Sequence, residues 1–320
     1  MNTIRLNDGN DIPSVGFGVF MIPSDGPTYD AVLQALQAGY RHIDTAAAYF
    51  NESDVGRAVR DSGIPRQEIF ITSKLWLQDY GYEAAKKGIE ASLSKLNMDY
   101  IDLYLLHQPY GDVSGAWKAL EEAKAAGKLK SIGVSNMTPK IWKTYVPFFS
   151  TKPAVNQVEC HPFFQQRELR ELLKEDDVKI EAYQPLGHGN PELLTHPTVT
   201  RLAERHQKDP GQIILRFEIQ EGFIVLPKST NPNRIRSNID LFSFALSDAE
   251  MEEMRAMDTG KGNHDPEAPG IAEILLANYK VHDLSVQAKT IQLFACFDVS
   301  FSHGKPSLPR YREGSKKEKY

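Results

Sequence analysis

Eight short apolar runs, each of strand length and separated by longer segments with helical spacing, constrain this chain more than any other feature of it. The runs are Val15–Val19, Arg41–Asp44, Ile69–Lys74, Ile101–His107, Leu129–Ser135, Ala154–Val158, Lys179–Tyr183 and Phe223–Pro227, rich in Val, Ile, Leu and Tyr. Between them Thr28–Ala38, Tyr82–Leu96 and Ser114–Ala126 read as helices; Ile89, Leu93 and Leu96 follow the i, i+4, i+7 spacing of a buried stripe. Gly39 and Gly127 stand where C-terminal caps belong. Near-continuous apolar strands joined by helical crossovers demand a parallel sheet covered on both faces, and eight such units are the number that closes on itself. The expected fold class is therefore α/β, a (β/α)8 TIM barrel, with an open doubly wound sheet as the alternative. Thr3–Leu6 and Asp11–Val15 flank the turn Asn7-Asp8-Gly9-Asn10, which predicts a β-hairpin over the N-terminal mouth. Thr198–Gln207 and Pro210–Glu221 add two helices before the last strand, so extra helices gather in the C-terminal part.

The pattern stops near residue 283, which divides the 320 residues into a barrel, 1–283, and a C-terminal extension, 284–320. The extension carries seven Lys/Arg against three Asp/Glu and ends in a polar stretch, Tyr311–Tyr320, preceded by Pro306 and Pro309. Such a segment reads as a partly polar, disordered chain end, or as a flap that folds over the barrel and alters access. Over the whole chain Lys+Arg 37 against Asp+Glu 42 leaves a net charge of −5. No basic field is available to collect nucleic acid or anionic lipid, so neither is an expected partner. Cys160 and Cys296 form neither a disulfide framework nor a metal-binding CxxC, which fits a reducing compartment. The start lacks an apolar core of signal-peptide length and no run of 18 apolar residues occurs, so a soluble cytoplasmic protein is expected, a monomer for want of any obligate interface signal.

Two motifs tempt and fail. Gly16-Phe17-Gly18 opens like a dinucleotide fingerprint, but Met21 occupies the third glycine position. Gly133-Val134-Ser135-Asn136-Met137 mimics a nucleophile elbow, and Met137 occupies its second glycine.

Reactive groups of a barrel belong at the C-terminal ends of its strands. Asp44 ends the second run, Lys74 the third and His107 the fourth, and Tyr49 follows Asp44 by five residues. Taken singly each has a bland explanation: a helix cap, a solvated terminus, a core ring, a turn histidine. Together they form a chemical set. An ammonium beside a phenol favours the phenolate and lowers its pKa, giving an acid usable near neutral pH, and an imidazole can orient a substrate oxygen. A competing retaining glycosidase needs paired carboxylates; the candidates Glu52 and Glu159 lie beyond non-adjacent strands.

Seven segments carry a more specific signal: Asp44-Thr-Ala-Ala-Ala-Tyr49-Phe-Asn-Glu52, Thr72-Ser-Lys74-Leu-Trp76, Leu105-Leu-His107-Gln-Pro109, Gly133-Val-Ser135-Asn136, Asn156-Gln157-Val-Glu-Cys-His161, Ala182-Tyr183-Gln-Pro-Leu-Gly187 and Pro227-Lys228-Ser229-Thr230. In this order the chain resembles the aldo-keto reductases over roughly residues 1–283. The resemblance implies an NADPH-dependent oxidoreductase that reduces aldehydes or ketones without a metal. It implies Tyr49 as general acid, Lys74 and Asp44 as the pair that depresses its pKa, and His107 as the group that orients the carbonyl. It further implies that Ser135, Asn136 and Gln157 hold the nicotinamide carboxamide and that Tyr183 stacks on the ring. By the same resemblance Leu186 would line the cofactor, Asn238 would meet adenine, and Lys228, Ser229, Thr230 and Arg234 would clamp the 2′-phosphate. Phe20, Met21, Trp76, Gln108 and Tyr110 would form the substrate pocket, and Gly262–His282 the loop that closes it. Gln108 replaces a tryptophan common in the family and Gln184 its usual serine, which makes the pocket wall less apolar. The alternative function on the same barrel is a catalytically idle NADPH-binding subunit for redox sensing or interaction.

Overall fold

A computed structural model describes residues 2–282; the expected extension 284–320, with Cys296, lies outside the described residues. Strands β1 (Thr3–Arg5) and β2 (Asp11–Pro13) form the hairpin, antiparallel, with Gly9 at φ +89° in its turn. Leu6 and Ile12 bury their side chains with Phe70, Leu103, Val155 and Ile224, so the hairpin stoppers the lower end of the barrel. Asn7 Nδ2 ties it down by donating to the carbonyls of Pro153 (2.9 Å) and Asp176 (3.1 Å).

The barrel strands are β3 (Phe17–Gly18), β4 (His42–Asp44), β5 (Phe70–Leu75), β6 (Ile101–Leu106), β7 (Leu129–Ser135), β8 (Val155–Glu159), β9 (Lys179–Tyr183) and β10 (Ile224–Val225). Neighbours pair in parallel and in chain order from β3 to β10. The sheet closes where Val15 bridges Val225: Gly16 N donates to Val225 O and Val225 N to Ser14 O, both at 2.9 Å. Closure excludes the open doubly wound alternative. The two seam strands are shorter than their apolar runs. Pro227 has no N–H to extend the ladder, and a Cβ on Gly16 would lie 2.6 Å from His42 Nδ1, so the seam must be built around a bare backbone.

Helices α1 (Pro27–Gln37), α2 (Glu52–Asp61), α3 (Tyr82–Leu96), α4 (Val113–Ala125), α5 (Pro139–Tyr145) and α6 (Arg167–Lys174) accompany the first strands. Ile89, Leu93 and Leu96 of α3 are all buried, as the spacing predicts. After α4, Gly127 N donates to Lys124 O and Lys128 N to Ala123 O, the double bond of a Schellman ending, with Gly127 at φ +78°. Gly39 closes α1 in the same way. The later part adds α7 (Pro191–Leu194), α8 (Pro197–His206), α9 (Pro210–Gln220), α10 (Pro232–Ser237), α11 (Asp248–Arg255) and α12 (Ile271–Asn278).

Above the apolar floor the barrel interior turns polar. His42, Thr72 and Glu181 are fully buried; Asp44 and Lys74 follow His42 and Thr72 by two residues on their strands, and Gln157 pairs in register with Glu181. This belt is the base on which the site stands.

Candidate active site

Asp44 is the last residue of β4, and Lys74 projects from the neighbouring strand β5 with its side chain completely buried. The chain then turns through a short 3-10 segment, Ala47–Tyr49, which returns the phenol of Tyr49 over the lysine. Lys74 Nζ donates to Asp44 Oδ1 (2.7 Å), to the Thr45 carbonyl (2.8 Å) and to the Tyr49 hydroxyl oxygen (3.3 Å). An ammonium has three protons, and here each has an acceptor. Because the phenol oxygen accepts from Nζ, its own proton is left free for another acceptor. His107 follows β6, its ring edge-on to Tyr49 with centroids 5.6 Å apart. Trp76 backs the imidazole at 5.1 Å, and Phe20 lies 4.9 Å from the phenol ring.

The electrostatics correct one expectation. Burial, followed by the charges of Asp44, Tyr279 and Glu181, holds the Tyr49 phenol well above its ordinary pKa, where the sequence reading has Lys74 lowering it. The physical reason is burial: desolvation of the phenolate is the largest cause, the negative charges add to it, and together they decide the direction. Tyr49 is thus protonated at neutral pH, the state a proton donor requires. Burial and the charge of Lys74 push His107 well below the usual histidine range, so the imidazole is neutral, and its Nδ1 is buried without a hydrogen-bond partner.

Beside this group Asn136 adopts a left-handed backbone, φ +60°, at the end of β7. Its Nδ2 donates to the His107 carbonyl (3.1 Å) and to Ser135 Oγ (3.3 Å), and its Oδ1 accepts from the Tyr183 hydroxyl (2.8 Å). Ser135 Oγ donates to the Gln157 carbonyl at 2.8 Å. Gln157 spends both amide protons below, on Asp44 Oδ2 and Glu181 Oε2, each at 2.8 Å, leaving its own oxygen as an acceptor. The Ser135, Asn136, Gln157 and Tyr183 patch therefore presents acceptors suited to an amide N–H₂ group next to an aromatic ring, the chemistry a nicotinamide carboxamide offers.

At the far side, Lys228, Thr230 and Arg234 are exposed beyond β10 while Ser229 is buried. Ser229 Oγ accepts from Arg234 Nε at 3.3 Å, which gathers cation and hydroxyl on one small turn. Leu186 and Asn238 meet at the start of α9, where a Cβ on Gly211 would lie 3.6 Å from Leu186 Cδ1 and 3.8 Å from Asn238 Oδ1. The donor set fits a phosphorylated adenosine: cations and hydroxyls at one end, an amide and a bare backbone at the other.

The remaining pocket residues divide. Met21 takes φ +58° next to Phe20, and Tyr110 reaches across to donate to the Pro266 carbonyl at 2.6 Å. Gln108 is buried, fixed through its backbone to the Tyr80 hydroxyl, and its Oε1 has no partner, as is also true of Gln184 Oε1. Glu52 and Glu159 do not form a carboxylate pair. Glu52 takes a hydrogen bond from Ser73 Oγ, and Ser73 alternates with the inward Thr72 and Lys74, so this carboxyl lies outside the barrel. Glu159 accepts from the backbone N–H groups of Asn263 and His264. The glycosidase reading is thereby withdrawn.

Sequence reasoning passed over several residues in and beneath the site. Tyr279 packs on Trp76 with centroids 5.4 Å apart, and its carbonyl accepts from Trp76 Nε1 at 2.8 Å. Glu181 and Gly211 were equally unmarked; only an inward register position for the first and the helix-opening Pro210-Gly211 for the second could have flagged them.

The Aldo/keto reductase family pattern matches residues 15–259. The chain belongs to the aldo-keto reductases. An aldo-keto reductase of Mycolicibacterium smegmatis is 47% identical over 261 residues, covering 81% of this chain and 94% of that relative. A glyoxal reductase of Bacillus subtilis is 41% identical over 257 residues, 80% of this chain and 92% of its own. Among solved structures, an aldo-keto reductase from a Medee basin deep-sea metagenome library superposes with a TM-score of 0.80 at 40% identity, covering 82% of this chain and 97% of that one. As an aldo-keto reductase this protein is an oxidoreductase that acts on a carbonyl substrate, in a family that typically uses NAD(P)H. Among the described residues no cluster of three or more His, Cys, Asp or Glu suits a metal ion, and no helix is long and apolar enough to cross a membrane.

Proposed function

We propose that this aldo-keto reductase reduces aldehydes or ketones with NADPH, using Tyr49 as the proton donor. The observation that carries the reading is the threefold use of Lys74 Nζ, which fixes the phenol oxygen 3.3 Å away and leaves its proton free. Ser135, Asn136, Gln157 and Tyr183 would hold the nicotinamide, Leu186 and Asn238 the adenosine, and Lys228, Ser229, Thr230 and Arg234 the 2′-phosphate. Bound there, the cofactor supplies a hydride. The protein supplies the rest: neutral His107 orients the carbonyl oxygen, and Tyr49 protonates that oxygen as negative charge develops on it. Phe20, Met21, Trp76, Gln108 and Tyr110 form the pocket rim. Gln108 and Tyr110 make that rim partly polar, and the likeness to a glyoxal reductase points to a small reactive carbonyl as the first substrate to try.

The test is Tyr49→Phe, assayed with NADPH and glyoxal. Loss of a positioned general acid is expected to lower kcat by about 10²- to 10⁴-fold, with NADPH affinity within about twofold because the phenol acts in the transition state. Near-normal turnover would remove Tyr49 from this role. A wild-type protein that binds NADPH tightly yet consumes none with any carbonyl would instead be the idle subunit.

A further inference from the structure

Glu181 lies beneath the site, and the reaction as described gives it no part. It faces into the barrel from β9, fully buried, in register with Gln157 on β8. One proton of Gln157 Nε2 goes to Glu181 Oε2 and the other to Asp44 Oδ2, so a single amide joins two carboxyl groups. The groups that face Glu181 are few. Strand β4 contributes His42 and Asp44, β5 contributes Thr72 and Lys74, β8 contributes Gln157, β10 sets the apolar Ile224 opposite, and Tyr49 stands above. His42 Nε2 is 3.6 Å from Glu181 Oε1 but bonds Thr72 Oγ1 at 2.9 Å, and burial keeps its imidazole uncharged, with a pKa pushed down to about 3. Glu181 Oε1 has no hydrogen-bond partner. A buried carboxylate with one oxygen lacking a protein donor is unfavourable, and two carboxylates here would share the ammonium of Lys74.

We infer that Glu181 is a positioning residue for the carbonyl reduction: it holds Gln157 against Asp44 and, with its carboxyl set in the polar belt beneath Tyr49, governs proton donation by that phenol. The inference rests on Tyr49 being the proton donor. Burial and the charge of Asp44 push the Glu181 carboxyl up to about 8. Below that pH it is neutral and only the Lys74–Asp44 pair frames the phenol. Above it, the new negative charge adds to those that raise Tyr49, making the phenol a weaker acid and slowing proton donation.

The experiment measures kcat for glyoxal reduction at saturating NADPH from about pH 6 to 10, for wild type and Glu181→Gln. Wild type is expected to fall about three- to tenfold to a lower plateau across a break near pH 8. Glu181→Gln should hold the low-pH rate through that range with KM changed less than about twofold. An unaltered break in the variant overturns the inference, because another group then titrates; so does an equal loss at every pH, which is a purely structural effect. Should Glu181→Gln fail to fold, Glu181→Asp replaces it: the break should persist but move, since the shorter arm releases Gln157, and an unmoved break overturns the inference. Tyr49→Phe run alongside separates the two ideas. If it stays active, the donor assignment has failed; if it is inactive while Glu181→Gln matches wild type, only the role of Glu181 has.

Discussion

Lys74 concentrates the residue-scale physics, since it is a fully buried cation whose three protons are all committed. Removing it strands Asp44, and an uncompensated buried charge costs about 3–5 kcal/mol. Lys74→Met should therefore unfold at much lower urea concentration than wild type, and adding Asp44→Asn should recover part of the loss; a double variant weaker than the single one would contradict the pairing. His107 offers a second check. With its pKa well below the ordinary value, protonation, and any loss of activity from it, comes only at pH far under about 6.5. The kcat profile should show no break between about pH 5.5 and 7; one that disappears in His107→Gln would show the imidazole titrating there. The positions of Asp44, Tyr49, Lys74 and His107 at strand ends were legible because a parallel barrel leaves those ends little freedom. The direction of the Tyr49 shift was not, because it depends on how deeply the phenol is buried and which carboxyl groups lie around it, quantities that only packing fixes.

At the scale of elements, β7, β9 and α3 match their sequence patterns end to end, whereas β3 and β10 shrink to two residues each. Apolar runs report burial, and the seam residues outside the two-residue strands are buried with only isolated cross-strand bonds, such as Gly16 N to Val225 O, so the pattern could not mark where the regular ladder stops. Helices α10 to α12 escaped reading because they are short and follow the last strand, where no alternation constrains them. Glycines test the local geometry. Gly127 sits at φ +78° in open space, so Gly127→Ala should cost about 1–2 kcal/mol for the left-handed backbone. A Cβ on Gly56 would approach Leu96 O to 2.0 Å, a collision with backbone at the contact of α2 with α3. Gly56→Ala should cost clearly more, about 3 kcal/mol or above. Thermal unfolding of the two variants checks the order; equal losses would mean that α2 shifts freely.

Across the whole molecule, residues 262–282 run over the C-terminal face as a strap. It is tied by Glu159 to Asn263 and His264, by Tyr110 to Pro266, by Thr138 to Glu267, and by Gln78 to Val281. Burial raises the Glu159 carboxyl, but donors from His161, Asn263 and His264 outweigh it, and the pKa lies below the ordinary value of 4.5. The sign follows: a depressed folded pKa contributes stability that is complete above the unfolded value and disappears as pH falls through the folded one. The protection factors of the Asn263 and His264 amides, that is, exchange corrected for its intrinsic pH dependence, should fall below about pH 4.5, and Glu159→Gln should show lower protection already at neutral pH. Protection equal to wild type in that variant would mean the carboxylate is not what fastens the strap.

The plug of Leu6 and Ile12 beneath the barrel has a traffic consequence. With one end sealed by hydrocarbon, carbonyl substrate and product come and go at the opposite face, the one spanned by residues 262–282. Entry then has to wait until whatever occupies that mouth has left.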